Sequence, residues 1–421
     1  MARFEMKQGN YQKARSIFEL GLKNSPNNPY LLQACGVMEE KLGLYKRALE
    51  LYVKATRVDP GHAASWVALA MLYKRRNRIS EAKRCLQAAT KADSSNYYAW
   101  QAWGVLENSL GNFDEAREKF KLSSKANPRN SALYQAWGVM EAKLGNHDIA
   151  KELFQRGIRE HPSSCYTLQA WAVMEAKLGN TYLATQLFQK ALKLNPKDAA
   201  VYQAYGLLQR RMGYITKARN SLEQAIKVDP RHTPSWQVLG SLEAEIGNIA
   251  KARDIFQQGV WACVNQKVRL FQSWGVMEAK LGEYEAARRC FKFGLEQDPK
   301  SIPVLVAWAL MEEQAKSIVR ARELFEVAIS IKSGHNFDPN VWNAYEAMET
   351  RLGNLQGAKS VYERGLSNSF GKQNNRQSAQ IKWDLGPIGE DLFSNNFGSE
   401  TFGNLVWTND YMNFQYIKLG I

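Results

Sequence analysis

The chain has 421 residues, with 56 Lys and Arg against 41 Asp and Glu, a formal net charge of +15 and an isoelectric point near 9.4. Its longest apolar runs, near 66–73 and 302–311, are too short to cross a bilayer, and five scattered cysteines with no Cys-x-x-Cys pair exclude a disulfide framework and point to a reducing interior. The cationic excess favours a polyanion, nucleic acid or an anionic membrane face, with a merely solvated basic surface as the plain alternative.

The opening stretch, residues 1–10, aligns with the latter half of a helix, Glu5 standing where Glu141 stands further on. The chain therefore reads as starting inside a repeat, a truncated form with any transit peptide upstream. From there a Leu-Gly marker recurs at Gly9, Gly43, Gly111, Gly145, Gly179, Gly213 and Gly247, at intervals of 34 or twice 34, with Asn77 in the skipped place. Gly282 comes one residue late, Lys316 fills a degenerate place, and Gly353 follows a short insertion around residues 333–335. A period of 34 is that of tetratricopeptide helix-turn-helix units.

Each repeat reads as two helices. The first ends at the marker glycine, suited to a left-handed turn. The second carries Ala five residues past the marker, as at Ala116 and Ala150, and an aromatic residue or Leu four further on, as at Phe120 and Phe154. Pro closes many second helices, as at Pro60, Pro128 and Pro230. One such pair cannot bury its apolar face alone, whereas a stack can. The fold expected is all-α, a right-handed superhelical solenoid over residues 1–366, followed by a polar linker at 367–380 and a non-repeat segment at 381–421. That last segment reads as a cap on the stack, a disordered tail or a mis-spliced end.

Three columns stand out on the first helix. Ten residues before the marker, Gln recurs as Gln33, Gln101, Gln135, Gln169, Gln203, Gln237 and Gln272, interrupted by Val67 and Val306. Helical geometry turns this place away from the helix's own partner, towards the concave side in stacks of this kind. An amide both donates and accepts, so the column could address base edges or peptide groups; an amide ladder between repeats is the alternative. Two residues before the marker, cations recur as Lys41, Arg75, Lys143, Lys177, Arg211, Lys280 and Arg351. They suit a phosphate backbone lying in the groove, or simply the negative end of the helix dipole. Val at several places between these columns gives a smooth floor, and Tyr30, Tyr98 and Tyr166 offer stacking surfaces.

The third column is Glu, four residues before the marker, on the packing side. A carboxylate there needs a partner. The second helix offers Arg or Lys six past the marker, so structural pairs within one repeat are expected, Glu107 with Arg117 and Glu243 with Arg253.

The succession Trp100, Glu107, Ala116-Arg117, Phe120 resembles the half-a-tetratricopeptide (HAT) repeat, and Trp236, Glu243, Ala252-Arg253, Phe256 repeats it. The string Gln-Ala-Trp-Gly-Val-Met-Glu-Ala-Lys-Leu-Gly at 135–145 is similar to that of plastid HAT-repeat proteins of the high-chlorophyll-fluorescence type, which mature and stabilise photosystem II messengers. The resemblance implies a sequence-specific binder of single-stranded RNA on a messenger's 5′ leader, shielding it from exonucleases and keeping it open for translation in the chloroplast stroma. A nuclear location is the alternative.

The five histidines lack metal-ligand spacing, no phosphate-cradling glycine loop follows a strand, and no nucleophile-base constellation can be placed. The expectation is a non-enzyme without cofactor or integral membrane segment. Its partner is RNA, with a protein scaffold in an RNA-processing complex, or self-association, as the second reading. The lysine-asparagine clamp of chaperone-binding tetratricopeptide domains is missing, since its places hold Gln and Val.

Overall fold

The computed structural model describes residues 1–331 and 339–369. Among these residues it contains 22 α-helices and one short 3-10 turn, with no strand. The architecture is an all-α helical-repeat solenoid. The insertion around 333–335 and everything beyond 369 lie outside the described residues, and the last helix, Leu355–Ser369, takes in the first residues read above as linker.

The repeat marked by Gly111 shows the plan. Its first helix, Tyr97–Leu110, starts where the Asn96 side chain accepts a hydrogen bond from the Ala99 amide. Gly111 ends it at φ 82°, and the Asn112 amide reaches back to the Glu107 carbonyl at 3.0 Å. The second helix, Phe113–Ala126, begins at once. Every marker position adopts this left-handed turn, including the two without glycine, Asn77 at φ 58° and Lys316 at φ 61°.

Packing within a pair depends on a close approach. Phe120 is fully buried against Gly104, where an added Cβ would sit 2.5 Å from the ring. The same meeting recurs at Gly36 with Tyr52, Gly138 with Phe154, Gly240 with Phe256 and Gly275 with Phe291. Each buried ring contributes roughly 1.5–3 kcal/mol. Between repeats, an aromatic at the start of the first helix hooks the preceding loop. Trp66, Trp100 and Trp236 donate their indole N–H to the carbonyls of Pro60, Ser94 and Pro230, each at 2.9 Å, and the Tyr134 hydroxyl does the same to Pro128 at 2.8 Å.

Residues 1–324 form one compact unit, and the chain from Phe325 onward belongs to a second. In the first unit successive first helices touch one another, and each second helix also packs on the first helix of the next repeat. Successive second helices do not pack on one another to a comparable extent, so the two kinds of helix form separate layers with the core between them. The late marker Gly282 is explained by the 3-10 turn Val264–Gln266, which takes up the additional residue between helices Ile249–Ala262 and Lys267–Lys280. In the second unit Phe325 stacks on Tyr345 at 5.0 Å, and Arg364 grips Glu326 with two bonds of 2.7 and 2.8 Å.

These geometries make two substitutions informative. A β-carbon costs about 1–2 kcal/mol in the left-handed region, more for Lys than for Asn. Lys316→Gly is expected to raise the melting temperature, by more than Asn77→Gly; no gain from either would contradict the backbone assigned there. Gly138→Val is expected to cost about 1–3 kcal/mol in thermal or denaturant unfolding by forcing Phe154 aside.

Candidate nucleic-acid interface

The glutamate column is the most heavily bonded part of the stack. Glu39, Glu107, Glu141, Glu243, Glu278 and Glu312 are each buried. Within its own repeat, Glu141 accepts from the Trp137 indole at 3.1 Å and from Asn146 Nδ2 at 2.8 Å. Trp103 with Asn112 holds Glu107 in the same way, and Trp171 with Asn180 holds Glu175.

The cation at the shared place comes from the preceding repeat, while Glu39, Glu243 and Glu312 also have Arg47, Lys251 and Arg320 of their own repeat within 4 Å. Arg117 Nε and Nη2 donate to Glu141, one repeat later, at 2.8 and 2.9 Å. Likewise Arg15 pairs with Glu39, Lys83 with Glu107, Arg219 with Glu243, Arg253 with Glu278 and Arg288 with Glu312. The expected pairs Glu107 with Arg117 and Glu243 with Arg253 are therefore corrected: all four residues are paired, but each to a neighbouring repeat. The reason is directional. The second helix packs on two first helices, and its arginine points to the following one. The sequence carried this signal at a separation of 24: Leu49 precedes Tyr73 and Thr185 precedes Gln209, neutral at both ends. Leu49 and Tyr73 pack in one apolar cluster, and Gln209 Oε1 accepts from Ser221 Oγ at 2.7 Å. Pairing within a repeat would have left Lys83 against Tyr73 and Arg219 against Gln209.

These bonds set the carboxyl ionisation. Burial pushes the Glu243 carboxyl up, but hydrogen bonds from Arg219, Asn248 and Lys251 outweigh it and hold the group down at about 2. Burial likewise opposes ionisation at Glu141, and the bonds from Arg117, Asn146 and Trp137 again win and lower it.

The glutamine column does not face an open groove. Gln33, Gln101, Gln169 and Gln203 are buried, and Gln135, Gln237 and Gln272 are half-buried. Gln237 Nε2 donates to the Arg269 carbonyl at 3.0 Å and to Ser273 Oγ at 2.7 Å. Gln135 and Gln272 donate to the carbonyls of Tyr166 and Pro303, and Gln101 Oε1 accepts from Asn130. Every one of these partners belongs to the next repeat's first helix or its cap. The column is thus an amide ladder between repeats. The helical-wheel expectation considered only the helix's own partner, whereas a stacked first helix buries a second face against its successor. Val67 and Val306, both buried in the same place, were the warning that shape matters there.

The cation column is exposed throughout: Lys41, Arg75, Lys143, Lys177, Arg211 and Lys280 in the first unit and Arg351 in the second. Arg75 bridges back to Glu40 at 2.7 Å, and Arg211 donates to the Ala176 carbonyl at 2.8 Å. Burial holds the Lys143 ammonium below the usual lysine range, and the charge of Lys177 lowers it further, so neighbouring cations feel one another along the row. Half-buried Val37, Val105, Val139, Val173 and Val276 lie one helical turn before the cation place. Tyr30 and Tyr98 are exposed and Tyr166 is half-buried, with Tyr30 edge-on to His62 at 4.4 Å. Among the described residues no group of His, Cys, Asp or Glu could hold a metal ion, and no helix is long and apolar enough to cross a membrane.

Residues 1–181 match the family described as the pre-mRNA-splicing factor Syf1/CRNKL1 C-terminal HAT repeat, and residues 199–232 match the tetratricopeptide repeat. These matches, with the helical-repeat architecture, support a repeat protein of the HAT/TPR kind. It is 28% identical to pre-mRNA-splicing factor clf-1 of Neurospora crassa over 100 residues, which make up 24% of this chain and 14% of that relative. The chain thus spans a small part of this curated relative's length. Among solved structures, yeast Tom70 is similar at 14% identity with a TM-score of 0.48, covering 86% of this chain and 90% of that one. The human IFIT1 dimer with PPP-AAAA is similar at 14% identity with a TM-score of 0.44, covering 81% and 91%.

The HAT/TPR pairing scheme is testable by double-mutant cycles. Arg117→Ala with Glu141→Ala should show a coupling on the order of 1–3 kcal/mol, and Arg117→Ala with Glu107→Ala close to none; the reverse ranking would reject the cross-repeat assignment. A carboxyl depressed in the folded state adds stability that is complete above its unfolded value and is lost as pH falls through its folded value. The melting temperature should therefore drop from about pH 4.5 down through about 2, and Glu243→Gln should remove part of that slope.

Proposed function

We propose that the chain is a repeat scaffold of RNA processing that holds single-stranded RNA through its phosphates along the first-helix face. The observation that carries this reading is the row of exposed cations, Lys41, Lys143 and Lys177 among them, standing one turn beyond a half-buried valine floor. Cations recurring at the repeat spacing, though interrupted at Ser109, Glu245 and Gln314, meet a polyanion's need for charge spaced along a track. The matched HAT family and clf-1, both pre-mRNA-splicing factors by name, support the RNA-processing context and a nuclear setting. The plastid messenger reading keeps only the likeness of the string at 135–145 in its favour.

The bonded amides change what kind of binding is proposed. With Gln101, Gln135 and Gln237 engaged between repeats, base edges lose the readers first assigned to them. RNA is then gripped mostly by its backbone, and sequence preference is weak. Tyr30 and Tyr98 remain as stacking surfaces at the edge.

The same observation favours a second reading, a scaffold for protein partners that needs no base recognition. Replacing Lys143, Lys177, Arg211 and Lys280 together by Ala is expected to weaken binding to an unstructured RNA by about tenfold or more and to flatten the salt dependence by roughly 0.7 for each phosphate no longer neutralised. Unchanged affinity would reject the first-helix groove. Partners that stay bound in a pull-down after nuclease treatment would favour the protein scaffold.

A further inference from the structure

A second row of cations lies on the other helical layer. Every 34th residue from Lys23 to Lys227, including Arg57, Lys125 and Arg159, is Lys or Arg, without a break over seven repeats. All stand in the last turn of a second helix, fourteen residues past the marker, and all are exposed. Among the described residues none of them has an ion-pair or side-chain hydrogen-bond partner, unlike Arg75 and Arg211 of the first-helix row. Three of the neighbouring acids are turned away from them. Asp59, Asp93 and Asp229, two residues on from three of these cations, turn back to accept from the loop amides of Gly61, Ser95 and Arg231.

Helix dipoles favour cations in a last turn, but anywhere in it. Here the adjacent last-turn place holds Asn24, Val58, Ala92, Ala126, Glu160, Leu194 and Val228, with no cation. The charge is kept while its carrier changes between Lys and Arg. The row then stops: its eighth place is Trp261, 68% exposed, and its ninth is Glu296. A dipole preference would not end there. The break coincides with the 3-10 turn Val264–Gln266, where the regular period slips. An uncovered indole at the end of a line of unpaired cations is a stacking platform for an unpaired base.

We propose that this second-helix edge is a nucleic-acid track, the cations from Lys23 to Lys227 engaging phosphates and Trp261 stacking on a base of single-stranded RNA. The proposal rests on the RNA reading above but places the RNA on a different surface. An acidic protein would also be drawn to the cations, yet it has no use for a lone exposed indole at their end.

The test compares two variants of the full chain on fluorescein-labelled oligouridylate. One replaces Lys91, Lys125, Arg159 and Lys193 by Ala, the other the four first-helix cations Lys143, Lys177, Arg211 and Lys280. The track predicts that the first variant binds about tenfold or more weakly, with a salt slope lower by about 0.7 for each phosphate released. It also predicts RNA-dependent fluorescence quenching that Trp261→Phe reduces. Affinity of the first variant within about twofold of the parent overturns the track, whatever the second variant does. If neither variant loses affinity, the RNA reading fails with it. Equal losses of the first variant towards oligouridylate and poly-L-glutamate, with no quenching traced to Trp261, overturn the nucleic-acid assignment in favour of an acidic protein. All eight side chains are exposed, so thermal melts should be unchanged; a variant that does not fold is replaced by its Gln counterpart.

Discussion

A buried carboxylate in most first helices is the constraint from which the stack is built. Removing a charge from water is costly unless it is fully paired, and an unpaired buried charge costs several kcal/mol. Glu141 has the Trp137 indole and the Asn146 amide from its own repeat, but those are neutral. Only Arg117, from the preceding repeat, supplies the positive charge. That repeat is therefore incomplete by itself in electrostatics as well as in apolar burial. The bidentate geometry of guanidinium on carboxylate fixes the angle between repeats more tightly than apolar packing alone would. The glutamine ladder adds a second set of directional bonds between the first helices.

Much of this was legible in the sequence, because periodicity fixes helix ends, core places and turns at once. The marker positions anticipated the left-handed turns, even at Asn77 and Lys316, where the residue type argues against one. The close approach of Gly104 and Phe120 follows from a small and a large residue recurring in step. What the repeat pattern could not reveal directly was which neighbour a side chain reaches. A period describes one repeat, whereas Arg117 and Gln237 act across a boundary between two. The exceptions held that information: Leu49 with Tyr73, Thr185 with Gln209, and the buried Val67 and Val306 among the glutamines.

The surface follows from what the interior uses. Glutamines that looked available for a ligand are engaged in stacking, and the column glutamates in ion pairs, so the recurring exposed columns that remain are cationic. Two rows remain, one on each helical layer, and they differ in character. The first-helix row is interrupted and partly tied to Glu40 and to the Ala176 carbonyl. The second-helix row is continuous until Trp261 and, among the described residues, unpaired. The net charge of +15 thus reflects side chains left over after the internal pairs are made.

The cross-boundary pairing also shifts the phase of the module that evolution or a designer could copy. Excising residues 112–145 would take out Arg117 and Glu141 together and leave every remaining charge matched. Excising a helix hairpin, such as the one containing both Tyr73 and Lys83, would instead bring Leu49 against the orphaned carboxylate of Glu107. The electrostatically closed cassette therefore runs from a second helix to the following first helix, half a step out of register with the hairpin by which such proteins are usually counted.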